Sequence, residues 1–261
     1  MAGIDDHRIA ACAAALRVAE TTGQTIAPLT EGDADLTIAL AYQIQETRRA
    51  LDPAPVIGYK LGYTSAAMRA QMNIDEPNYG VLTPAHAVSD RLNRVKAADL
   101  IHPLAEPEIA LRLGRAIMGP NVTREQLAEA IDAVFPAIEI VDTRYHGYKF
   151  TAIDNISDNS SAARFVLGDA RGPDTLNTLA DTPVTLRIDG TDIDRGYGHA
   201  AMEDPVLALL WLVNTLGTRG VGLEAGAIIM TGGLTRAHPI SQGNRVEADF
   251  GVLGIARLEL I

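Results

Sequence analysis

Seven short apolar runs follow one another through the second half of the chain: "EIALRLG", "AIEIVD", "ARFVLG", "VTLRIDG", "AIIMTGG", "RVEADFG" and "GIARLEL". Gly, Pro, Asn and Asp bound them, as turns bound strands. So many strands at such close spacing predict a mixed, closed or rolled sheet. Asp189-Gly190, between "VTLRI" and "TDIDR", reads as a tight hairpin turn. Two helices are expected to interrupt the strands. "TREQLAEAIDAVF" opens with Thr123 and Gln126 at the spacing of a capping box. "DPVLALLWLVNTLG" has Asp204 as N-cap, Pro205 in the first turn and Gly217 near its end. It is apolar nearly all round, so it belongs in the body or at a subunit contact.

Before about Asp99 the texture differs. "DHRIAACAAALRVAETT" and "LTEGDADLTIALAYQIQETRRALD" read as helices. In the second, Thr30 is the expected N-cap with Asp33 three residues on, and Leu36, Leu40 and Ile44 recur near helical spacing. The expected fold class is therefore α+β. A helical N-terminal part, residues 1–98, carries the Lys60 segment and packs on a β-rich, barrel-like C-terminal body, residues 99–261.

A formal charge of −11 argues against nucleic acid or anionic lipid as a partner and leaves a small molecule. No run has the apolar length of a membrane span, and "MAGIDDHRIAACAAALRVAE" carries acids where a signal peptide carries bases. The expected location is the cytoplasm. Cys12 is the only cysteine, which excludes an intramolecular disulfide, a thiolate zinc site and a CxxC redox pair. It reads as a small core residue.

The run "IHPLAEPEIALRLGR" poses a chemical question. In a strand Ala105, Pro107, Ile109, Leu111 and Leu113 form one row while Glu106 and Glu108 share the other face. Two carboxylates with Cα atoms roughly 6.5–7 Å apart repel unless water or a cation neutralises them. A third, Glu139 in "FPAIEIVDTRY", sits among Ile138, Ile140 and Val141, where an unpaired charge is costly. Three carboxylates on adjacent strands suit a hard divalent cation such as Mg²⁺ or Mn²⁺. The alternative is a solvated Glu106/Glu108 pair, with Glu139 paired to an arginine such as Arg144.

Three further segments qualify. "GYKLGYTS" places Lys60 between Gly58 and Gly62, in a chain that has three lysines, Lys60, Lys96 and Lys149, against nineteen arginines. "ISDNSSAARF" offers Asp158, Asn159 and Ser160. "MTGGLTRAHP" has backbone N–H groups that can cradle an anion, or is simply a strand ending in a Gly-Gly turn. His199 and His238, in Gly- or Pro-bounded loops, are expected at the surface.

In order, "GYKLGYTSAAMRAQMNIDEPNYGVL", "IHPLAEPEIALRLGR", "AIEIVDTRY", "ISDNSS" and "IIMTGGLT" resemble the hydratase and decarboxylase branch of the fumarylacetoacetate hydrolase superfamily. The resemblance implies a β-rich body, a Mg²⁺ or Mn²⁺ site, a homo-oligomer and association with a neighbouring pathway enzyme. Glu106, Glu108 and Glu139 take the place of the metal ligands and Lys60 that of the acid–base residue. Ser160 stands beside Lys60 as a catalytic polar contact, with Asn159, Thr231 and Gly232 as substrate-binding positions. The implied activity is a hydro-lyase that adds water to 2-hydroxypenta-2,4-dienoate or a homologue. Its runner-up is decarboxylation of a 4-oxalocrotonate-type acid, which would want a cation such as Arg144, Arg164 or Arg236 for the second carboxylate. Other readings are C–C bond hydrolysis, for which no His–Glu pair stands before the metal segment, and a catalytically silent metal-binding partner of a pathway enzyme. Two positions depart from the pattern: Asn78, where hydratases often carry Asp, and Met202-Glu203-Asp204-Pro205, where relatives often read Leu-Gly-His-Pro.

Overall fold

The computed structural model describes residues 2–261. Helix α1 (Ala2–Thr22) packs on α3 (Ile38–Ala50), with the short α2 (Leu29–Gly32) between them. Ile9, Ala13 and Leu16 of α1 recur three and four apart and meet Ile44 of α3 and Tyr145 in a small core of their own, with Cys12 half-buried at its edge. The cap of α3 is Thr37, which accepts from the Leu40 N–H, and not Thr30. The Thr30 hydroxyl instead donates to Asp154, tying the helical part to the body.

Twelve strands follow among the described residues: β1 (Gly58–Gly62), β2 (Asn78–Leu82), β3 (Arg94–Val95), β4 (Leu104–Leu113), β5 (Ile131–Val141), β6 (Ala162–Leu167), β7 (Pro183–Ile188), β8 (Thr191–Tyr197), β9 (Ile228–Met230), β10 (His238–Pro239), β11 (Arg245–Asp249) and β12 (Ile255–Leu260). The first sheet runs β2-β1-β9-β4-β5-β6, with β10 added to β4, and the second runs β3-β12-β11-β7-β8. The Asp189-Gly190 turn joins β7 to β8 with φ of 52° and 79°, the paired positive angles that a two-residue hairpin of the I′ kind requires.

The first sheet crosses the expected division near residue 98, because β1 and β2 come from the N-terminal part, pair with each other, and join the rest through β1 on β9. Helix α4 (Ala66–Met72) fills the connection between them. The sheet rolls until its ends meet. Asn159, just ahead of β6, accepts from the Val81 N–H at 2.8 Å and donates to the Val81 C=O at 2.9 Å, so one side-chain amide stands in for a strand neighbour of β2. Beyond β2 the chain turns to run along β6, where Phe165 donates to the His86 C=O and Val88 to the Phe165 C=O.

The expected helix from Thr123 is only α5 (Arg124–Ala128), its Thr123–Gln126 capping box intact. From Ile131 the sequence "IDAVFPAIEIV" is strand β5. Pro136 would break a helix interior, and pairing with β4 outweighs the helical pattern of "AEAIDAVF". Helix α6 (Ala152–Ser157) packs against α3 and β2. Helix α7 (Pro205–Gly217) is capped by Asp204 as the sequence predicts and buries Val206, Leu209, Leu212, Val213 and Leu216 in the main core. That core takes the Ile109, Leu111 and Leu113 row of β4 and the inner face of the second sheet. The opposite face of β4, inside the roll, holds the two glutamates.

Candidate active site

Antiparallel pairing sets Glu106 of β4 directly opposite Glu139 of β5, and Glu108 opposite Ala137. Paired residues share a face, so all three carboxylates enter the roll together. Each offers an oxygen within 4.8 Å of the others. Glu108 and Glu139 are buried, and Glu106 keeps some contact with solvent. Strand β9 spaces β1 from β4, with Met230 opposite both Lys60 and Ala110, so Lys60 lies on the same face. Its Nζ is 3.2 Å from Glu139 Oε2 and donates to the Ser160 C=O at 2.9 Å.

Every carboxyl here is pushed up. Burial raises Glu106 to about 7, with Glu139 adding repulsion and Lys60 pulling the other way. Burial and the neighbouring acids raise Glu108 further, and burial raises Glu139. For Lys60 burial favours the neutral amine, but Glu139, Glu106 and Glu108 outweigh it and hold the ammonium. The group carries three acids and one base, a formal −2 when all are ionised. Glu108 Oε2 accepts from the Gly232 N–H at 2.9 Å, while Oε1 has no partner. Glu139 Oε2 makes no well-aligned hydrogen bond, with Lys60 Nζ at 3.2 Å and the Glu108 carboxyl close by. Buried oxygens left bare in this way fit a hard cation, which needs oxygen ligands and supplies the missing positive charge.

Ser160 sits in a turn of three successive left-handed residues, Asn159, Ser160 and Ser161, with φ of 55°, 53° and 55°. Such strain needs an outside hold. Asp158 provides it, taking Arg144 Nε, the Arg144 N–H, Arg48 and Thr143 on its two oxygens. From the turn the Ser160 hydroxyl donates to Asn78 Oδ1 at 3.0 Å, and Asn78 Nδ2 donates to Asn155 Oδ1 at 2.8 Å. Gly62 is required beside them, since a Cβ there would stand 2.2 Å from Asn78 Oδ1 and 2.6 Å from Ser160 Oγ.

The structure thus gathers Lys60, Ser160, Glu106, Glu108, Glu139 and Gly232. Two expected substrate positions are already occupied by the fold. Asn159 is spent on Val81, and the Thr231 hydroxyl donates to the Ile109 C=O at 2.7 Å. Arg144 pairs with Asp158 and not with Glu139, whose partner is Lys60. His199 is exposed, whereas His238 is half-buried, held by β10 pairing and by Asp194 at 2.8 Å, which corrects its expected surface position. Sequence reasoning missed Asn155 and Arg48, whose polar side chains carry no motif and take meaning only from neighbours distant in the chain.

The family model for the C-terminal domain of fumarylacetoacetate hydrolase matches residues 55–260. The chain is 36% identical to a 2-keto-4-pentenoate hydratase of Burkholderia vietnamiensis, over 97% of each chain. It is 34% identical to a 4-oxalocrotonate decarboxylase of a Pseudomonas species, over 92% of this chain and 91% of that one. The structure superposes on 4-oxalocrotonate decarboxylase from Pseudomonas putida G7, complexed with magnesium and adipate, with a TM-score of 0.93, 31% identity and 98% of each chain covered.

Proposed function

The chain belongs to the fumarylacetoacetate hydrolase family, and from that premise we propose that it is a divalent-metal-dependent lyase. It adds water to 2-hydroxypenta-2,4-dienoate or a close homologue to give a 4-hydroxy-2-oxo acid in aromatic meta-cleavage catabolism. The observation that carries the reading is the gathering of three carboxyls, Glu106, Glu108 and Glu139, against the single base Lys60, with the bare buried oxygens Glu108 Oε1 and Glu139 Oε2. An all-oxygen set favours Mg²⁺ or Mn²⁺ over softer metals. A cation held by these three glutamates would supply Lewis-acid polarisation of a 2-oxo acid's oxygens.

The chain's own residues supply the remainder. Lys60 moves the proton, and Glu139 and the Ser160 carbonyl fix its Nζ. With a divalent cation on the three carboxylates, most of the negative field that keeps Lys60 protonated would be offset, and burial, which favours the neutral amine, would count for more. The Ser160 hydroxyl, oriented by Asn78, is positioned to contact substrate beside Lys60. The Gly232 N–H holds one oxygen of Glu108 and leaves the other for the cation. Residues 1–98 thereby contribute the proton-transfer group and residues 99–261 the metal ligands.

The decarboxylase reading is supported by the likeness to 4-oxalocrotonate decarboxylases. Against it, none of the three arginines considered for a second carboxylate faces the site. Arg144 is consumed by Asp158. Arg164 opposes Ile140, one residue out of phase with Glu139 and so on the other face of the sheet. Arg236 has 85% of its side chain exposed. A homo-oligomer, contact with a neighbouring pathway enzyme and a cytoplasmic location complete the proposal. The family resemblance supports them, and no described helix is long and apolar enough to cross a membrane.

The test offers protein with Mg²⁺ or Mn²⁺ freshly made 2-hydroxypenta-2,4-dienoate and, separately, 4-oxalocrotonate. Loss of dienoate absorbance without CO₂ is the expected result. Fast CO₂ release from 4-oxalocrotonate with no hydration would reverse the order of the two activities.

A further inference from the structure

Among the described residues three buried side-chain oxygen or nitrogen atoms lack any hydrogen-bond partner, and two of them are the carboxylate oxygens already assigned to the cation. The third is the hydroxyl of Tyr63. A buried hydroxyl without a partner forfeits its hydrogen bond to water, so few survive in a folded protein without a reason. Tyr63 carries a second cost, since its φ of 56° is left-handed, a region that bulky residues avoid. Neither cost brings a visible gain to the fold.

Its chain neighbours locate it. Gly62 abuts Ser160 and Asn78, and Thr64 abuts Gly232, the residue that holds Glu108. The backbone is pinned in this posture from outside the roll, with Arg69 donating to the carbonyls of Tyr63 and Thr64 at 3.1 and 2.8 Å. Burial, with the negative fields of Asp154 and Glu106 adding to it, keeps the phenol protonated, so the group is a donor. The strained Tyr63, within the field of Glu106 and one residue from the glycine that abuts Ser160, presents one unused O–H.

We propose that Tyr63 donates this hydrogen bond to the carboxylate end of the bound 2-oxo acid, as a substrate-binding residue that neither the lysine motif nor the metal motif announces. The inference rests on the proposed reading of the site as one that takes a 2-oxo acid on a divalent cation. It explains why the hydroxyl goes unpartnered without ligand, because the carboxylate is its partner. A donor aimed at a charged acceptor contributes more than a neutral pair.

Tyr63→Phe removes the oxygen and keeps the ring, and oxalate with Mg²⁺ serves as the probe because it has the two chelating ends and no reactive tail. Calorimetry should show oxalate affinity reduced roughly ten-fold while Mg²⁺ affinity is unchanged. The melting temperature of the ligand-free variant should not fall, since no internal hydrogen bond is lost. Unchanged oxalate affinity, or a melting temperature several degrees lower, would overturn the assignment, the latter by showing a structural bond. If wild-type protein fails to bind oxalate in a metal-dependent way, the reading of the site fails and takes the inference with it. Normal wild-type binding left intact in the variant removes Tyr63 alone.

Discussion

Among the described residues, the charges around Asp158 and those around Lys60 are both drawn into the interior, and the two clusters are built in opposite ways. Around Asp158, the buried Arg144 and Arg48 share its carboxylate, Arg48 reaches on to Glu20 at the surface, and both Asp158 oxygens are bonded. Around Lys60, three acids meet one base and oxygens are left bare. A buried charge persists only if something compensates it. The first cluster is compensated within the chain, so it is structural and holds the left-handed turn that carries Ser160. The second needs a partner from outside. The difference is read from charge balance and bonded oxygens, with no appeal to which residues look catalytic.

The largest effect should come from removing that outside partner. Exhaustive chelation should abolish activity, and Mn²⁺ or Mg²⁺ should restore it. Glu108→Gln and Glu139→Gln should each cost more metal affinity than the roughly 10–100-fold typical of losing a supporting neighbour, by calorimetry or Mn²⁺ resonance. Activity that survives chelation would make the two clusters alike and leave the −2 unexplained.

Next comes Lys60. Arg keeps the positive charge but cannot give up a proton near neutral pH. Lys60→Arg and Lys60→Ala should therefore both lose roughly 10²–10⁴-fold in kcat with metal affinity near wild type. A folded, metal-loaded Lys60→Arg enzyme within a few-fold of wild type would return Lys60 to the structural side of the comparison, beside Arg144.

How far each cluster was legible in the sequence follows from the range of its contacts. Glu106 and Glu108 share a face by strand alternation, and Glu139 stands in a strand of the same kind, so the carboxylates could be grouped before any fold was known. The hairpin at Asp189-Gly190 and the caps at Thr123 and Asp204 are local chemistry and equally readable. "GYKLG" was harder: two glycines in five residues argue against a strand, and its partner β9 lies some 170 residues on. Thr30 misled because its hydroxyl bonds Asp154, far along the chain, leaving Thr37 to cap the helix. The left-handed turn at 159–161 has no glycine to announce it, since the Arg144–Asp158 network sustains the strain.

Stability should separate the clusters by sign. Asp158→Ala strands the buried Arg144 without its acid and leaves Arg48 only Glu20 at the surface, and breaking a fully buried pair in this way costs about 3–5 kcal/mol. Glu108→Gln removes one of three repelling charges, so in chelated protein it should leave the melting temperature unchanged or higher, the opposite direction. Denaturant titrations of both variants, metal-free, decide it. A large loss in Glu108→Gln would mean that the site's carboxylates stabilise the fold by themselves.

The smallest effect is in pH. Burial opposes ionisation of Glu20, but Arg48 and Arg144 beside it bring its carboxyl down to about 2, below its ordinary 4.5. Glu20 therefore binds fewer protons folded than unfolded, and its contribution, full above about 4.5, is lost as pH falls toward 2. Glu106 is displaced the other way, to about 7. It binds more protons folded than unfolded between 4.5 and 7, so its contribution is full below 4.5 and is lost as pH rises through 7. Chelated protein should thus soften on both sides, in acid through the Arg48 cluster and toward neutrality through the Lys60 cluster. Saturating Mg²⁺ should lift the neutral limb, because the cation binds the ionised carboxylates and stabilises only the folded chain, and should leave the acid limb where it was. Melting curves at pH 3, 5 and 8, with and without Mg²⁺, test this. A shift at pH 3 as large as at pH 8 would show that the cation acts elsewhere than on these three glutamates.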